Sequence, residues 1–92
     1  MTAIRRAVIF RGTVQGVGFR WTTRRVAETY PVRGWVRNEA DGTVRCEVEG
    51  ESADIESFFD AVTEAMDGYV QSRLESPSGS GPMPGQGVEI HR

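Results

Sequence analysis

The run GTVQGVGFR, Gly12 to Arg20, places the tightest limit on how this chain folds. The residues before it, Ala7-Val8-Ile9-Phe10, read as a buried strand, and residues 20–30 after it read as a helix with Val26, Ala27 and Tyr30 on one face. Gly16 and Gly18 open backbone angles that other residues disfavour and leave no side chain in the way. Successive N–H groups in such a loop can converge on one point, and a helix start adds partial positive charge. Arg20 closes the run with a planar, permanently charged fork that suits phosphate oxygens. The run is therefore a candidate cradle for a small phosphate-like dianion. It lacks the third glycine of a dinucleotide fingerprint and the Gly-Lys-Ser/Thr of a nucleotide loop, so a small phosphorylated group suits it better than a nucleotide.

Downstream, Pro31 should end the first helix, because the residue before a proline avoids helical angles. Gly34-Trp35-Val36-Arg37 reads as a second strand and Asp41-Gly42 as a hairpin turn. Residues 43–50 alternate: Val44, Cys46 and Val48 face one way, expected to be toward the helices, and Arg45, Glu47 and Glu49 the other. Ser52 is the expected N-cap of a second helix, whose apolar stripe runs Ile55, Phe58, Phe59, Val62, Ala65 and Met66. Tyr69 to Glu75 reads as a fourth strand and Val88-Glu89-Ile90 as a short closing one. The twelve residues Ser76 to Gly87 include ten that are Ser, Gly or Pro, a composition expected of a mobile loop. The order strand, helix, strand, strand, helix, strand predicts an α+β, ferredoxin-like βαββαβ sandwich: an antiparallel sheet with both helices on one face. Residues 1–92 are expected to form one such domain, and the fold by itself settles no function.

Charge is uneven. Residues 1–38 hold eight Arg and one acid, a balance of +7, whereas residues 39–92 balance at −9. The basic part carries the glycine loop, which suits an anionic ligand. A nucleic-acid surface needs a larger basic footprint than a chain of pI near 5.4 offers, so nucleic acid is not an expected partner. No apolar run reaches the roughly 18 residues of a membrane span, and no membrane partner is expected. The N-terminus lacks the apolar region of a secretory signal and Cys46 has no disulfide partner, which together point to the cytoplasm.

Few groups offer other chemistry. His91, next to last, reads as a frayed surface residue, and Cys46, between valines, as a core thiol rather than a nucleophile. Glu47, Glu49 and Glu51 read as a solvated sheet face or edge. No His, Cys or carboxylate spacing suggests a metal site, and no cofactor is expected. Every basic side chain is Arg, which excludes a lysine Schiff base or phosphate clamp. Asn38 ends the second strand just before the hairpin, where an ordinary turn asparagine is also at home.

The two segments GTVQGVGFR and GWVRNEADGTV together resemble the acylphosphatase family, closely over residues 5–50 and more loosely to the Val88-Glu89-Ile90-His91-Arg92 end. The resemblance implies the same ferredoxin-like fold and hydrolysis of an acyl phosphate, a small-molecule carboxyl–phosphate mixed anhydride, to carboxylate and inorganic phosphate. Phosphate would then be both product and competitor. By the same resemblance Arg20 matches the family's phosphate-binding arginine and Asn38 its water-positioning asparagine. The phosphate cradle falls on the backbone of Gln15, Gly16, Val17, Gly18 and Phe19. The expectation is a monomeric enzyme that needs no metal. The alternative is a non-catalytic module of the same fold that merely holds phosphate or a phosphorylated ligand, a task for which Asn38 is unnecessary.

Overall fold

A computed structural model describes residues 3–92. Five strands and two helices follow in the order β1 (Ile4–Gly12), α1 (Phe19–Ala27), β2 (Arg33–Asn38), β3 (Val44–Gly50), α2 (Ser52–Ala65), β4 (Val70–Ser76) and β5 (Gly87–His91). They build one sheet in the order β4-β1-β3-β2-β5. Its register pairs Val8 with Cys46 and Cys46 with Val36, so these three stand side by side on one face. That face is covered by the helices. Val44, Cys46 and Val48 are fully buried in one core with Ile55, Phe58, Phe59 and Val62 of α2 and with Phe19 and Ala27 of α1, as the strand alternation and the α2 stripe predict, except that Ala65 of that stripe is exposed. Phe10 joins the two helices, its ring 5.0 Å from Phe19 and 6.2 Å from Phe59. No helix among the described residues is long and apolar enough to cross a membrane.

Three features differ from the sequence reading. The pairings of β1 with β3 and β4, and of β2 with β3, are antiparallel as expected, but β5 lies parallel to β2. A hairpin would have returned β5 beside β4; instead residues 77–86 carry the chain from one sheet edge to the other, so β5 enters in the direction of β2. The N-cap of α2 is Glu51 rather than Ser52 and makes no side-chain capping bond.

The crossing segment is also tied down. It passes over the sheet face opposite the helices, where Arg5 donates to the Gly81 carbonyl (2.8 Å) and Arg45 to that of Pro77 (2.7 Å). The Gly79 amide donates to Glu47. Glu47 is consequently 2% exposed, not solvated, and is paired with Arg5 (2.9 Å) and Arg45 (3.5 Å). A buried carboxylate is tolerated only with such partners, and removing one member of a buried pair is costly. Glu47→Ala should lower stability by about 2 kcal/mol, below the roughly 3–5 kcal/mol of a fully buried pair because both arginines keep some contact with water. Urea unfolding measures this; a loss below about 0.5 kcal/mol would show that the segment does not depend on Glu47.

Candidate active site

The chain leaves β1 at Gly12 and must enter α1 at Phe19 across the sheet's end. Val14 and Phe19 are both buried and pin the two ends of the connection into the core. Between them the backbone turns through left-handed angles at Gly16 (φ 76°) and Gly18 (φ 77°). A side chain at either position would meet no neighbour, so the requirement for glycine comes from the backbone angle and not from space. Gly18 is the N-cap of α1, and no side chain caps the helix there. The first intrahelical bond is donated by Thr22 to the Gly18 carbonyl (2.9 Å). The N–H groups of Phe19, Arg20 and Trp21 therefore have no acceptor within the helix, at the end where its dipole is positive.

A hollow of about 190 Å³ opens beside this helix start. It is lined by Val14, Gly16, Gly18, Phe19, Arg20, Trp21, Asn38 and Ile90. Arg20 and Asn38, far apart in sequence, thus share one cavity with the glycine loop, and Arg20 is the only charged side chain in its lining. Strand pairing explains the convergence: Asn38 ends β2 opposite Val44 on the helix-covered face, and β5 lies next to β2. Arg20 is half-buried, and its guanidinium donates to the His91 carbonyl at 3.1 Å, which anchors it to the end of β5. Gln15 and Val17 do not line the hollow. Val17 packs against the core, and the Gln15 side chain turns toward the β2–β3 hairpin.

A larger hollow of about 810 Å³ lies near the C-terminal end of α1. Glu28, Glu49, Glu51 and Asp54 line it against a single Arg33, so its charge opposes an anion and it contains neither Arg20 nor Asn38. The smaller hollow is the chemically furnished one.

The remaining reactive groups stand outside it. His91 is not frayed: it is the last residue of β5 and its ring stacks on Trp35 at 5.5 Å, on the face away from the helices. The sequence signal for this was the Val88-Glu89-Ile90 alternation, which continues one residue further than it suggested. Among the described residues no three His, Cys, Asp or Glu side chains are grouped to hold a metal. Cys46 is fully buried, and that burial pushes its thiol well above its ordinary range. A thiol that stays protonated is a poor nucleophile. A thiol reagent at pH 8 should therefore label Cys46 only as fast as the protein unfolds; rapid labelling of the folded protein would show that the core opens.

Comparison with known proteins gives a consistent picture. Residues 6–77 match the acylphosphatase family model. An acylphosphatase of Salinibacter ruber is 58% identical over 53 residues, 58% of this chain, and the match spans about half (56%) of that relative's length. One of Nitratidesulfovibrio vulgaris is 42% identical over 86 residues, covering 87% of this chain and 83% of its own. The crystal structure of acylphosphatase from Bacillus subtilis superposes with a TM-score of 0.77 at 32% identity, over 99% of this chain and 100% of that one.

Proposed function

The chain belongs to the acylphosphatase family, and from that premise we propose that it hydrolyses acyl phosphates to a carboxylate and inorganic phosphate. One observation carries the proposal: Arg20, Asn38 and an uncapped helix start behind two left-handed glycines line a single hollow. The phosphoryl group sits in the hollow against Gly16, Gly18 and Phe19 with Arg20 on its oxygens, the backbone of Gln15 and Val17 completing the loop around it. The Asn38 carboxamide holds the attacking water. That water bonds to phosphorus, the bond from phosphorus to the bridging oxygen breaks, and its electron pair leaves with the carboxylate. One water proton stays on the new oxygen and the other passes to a phosphoryl oxygen, giving dihydrogen phosphate.

So few groups suffice because the carboxylate leaves as a stable anion and needs no general acid. Phosphoryl transfer to water depends mainly on positioning and on stabilising charge on the equatorial oxygens. Preorganised amides and a guanidinium held by the His91 carbonyl supply that stabilisation without a cation. The same reading takes the protein as a metal-independent monomer working in the cytoplasm, a compartment that suits its single buried thiol. Holding an anion would not require Asn38 in the hollow, which favours turnover over simple capture.

The roles separate by experiment. Asn38→Ala should leave competitive inhibition by inorganic phosphate nearly intact while lowering kcat by about 100-fold or more, the scale of losing roughly 3 kcal/mol of transition-state stabilisation. Arg20→Ala should weaken phosphate binding and turnover together. A folded Asn38→Ala protein with the wild-type rate would remove the water-positioning role. Excess chelator should leave phosphate release from an aryl acyl phosphate unchanged; activity lost to chelator and restored by magnesium or zinc would refute the metal-free mechanism.

A further inference from the structure

We infer that Gln15 is a positioning residue that sets the distance between the phosphate cradle and the water held by Asn38, an inference that rests on the role proposed for Asn38. Its side-chain nitrogen lies 2.7 Å from the Glu39 carbonyl oxygen and 2.9 Å from that of Thr43. Both neighbours are acceptors, so the carboxamide must present its NH2 to them, and each N–H has its own partner. The side chain is half-buried. It leaves the loop between β1 and α1 and ends on the carbonyl of Glu39, the residue directly after Asn38, and on that of Thr43 across the hairpin.

What this pair of bonds adds is specific. The hairpin closes without Gln15: the Glu39 amide donates to the Thr43 carbonyl (2.8 Å), that of Gly42 to Glu39 (3.2 Å), and Asp41 accepts from the amide and hydroxyl of Thr43 (3.1 and 2.6 Å). The glycine loop is likewise held by its own anchors, Thr13 to the Tyr69 carbonyl (2.9 Å) at one end and Val14 and Phe19 in the core. Two units that are each formed without Gln15 are joined by it. One unit holds the phosphoryl group and the other the water, so their separation and alignment decide whether attack is in line. An error near 1 Å in such an arrangement can cost about 100-fold in rate.

The test is a double-mutant cycle between Gln15→Met, which keeps length but removes both donors, and Asn38→Ala, read as kcat on an aryl acyl phosphate and as Ki for inorganic phosphate. Gln15→Met alone should lower kcat by about 10- to 100-fold with Ki unchanged within about twofold. In the Asn38→Ala background the same substitution should change kcat by less than about threefold, because the group it positions is gone. If Gln15→Met does not fold, Gln15→Asn withdraws the donors by one methylene and replaces it in the cycle. Additive effects, a parallel loss of phosphate binding, or a wild-type kcat in the Gln15 variant would each overturn the inference. A wild-type rate in Asn38→Ala alone would overturn the reading beneath it, and the inference with it.

Discussion

The left-handed passage at Gly16 and Gly18 is the constraint on which the site depends. The chain must turn from the end of a buried strand into a helix while both flanks, Val14 and Phe19, stay in the core. Meeting that requirement with glycine leaves the helix start without a side-chain cap. Unsatisfied amides at a helix start are ordinarily a cost. Here Phe19 packs against Phe10 in the core, and in the proposed function the open amides receive the phosphoryl group.

Sheet order does the rest. With β2 between β3 and β5, the end of β2 brings Asn38 to the hollow and the end of β5 brings the His91 carbonyl to Arg20. Neither residue is near Gly18 in sequence, and the strands alone place them. The crossing that lets β5 reach β2 is secured on the opposite face by Glu47 between Arg5 and Arg45. That ion group thus bears on the site indirectly, by fixing the strand whose last carbonyl anchors Arg20. The hollow and the ion group that supports it lie on opposite faces of one sheet.

Local pattern made much of this legible. The period-two alternation of residues 43–50 and the α2 stripe identify the core, and the glycine spacing with its following arginine identifies the loop. Three things were not legible because they depend on partners distant in sequence. Glu47 looks like a solvated strand residue until residues 77–86 cross above it, and a Ser-, Gly- and Pro-rich segment carries no mark of where it lies. The parallel pairing of β5 follows from that crossing. Gln15 entered the reading through its backbone, whereas its side chain reaches a hairpin 24 residues away; only three-dimensional placement shows two carbonyls within reach of one amide.

Central to this account is water attacking phosphorus, not the acyl carbon. Hydrolysis of an aryl acyl phosphate in water enriched in oxygen-18, with the products analysed by mass spectrometry, tests that directly. Attack in the cradle predicts that the label appears in inorganic phosphate and that the carboxylate keeps its original oxygens. Label in the carboxylate would mean that carbon is the electrophile, and the roles given to Arg20, Asn38 and the loop amides would be contradicted.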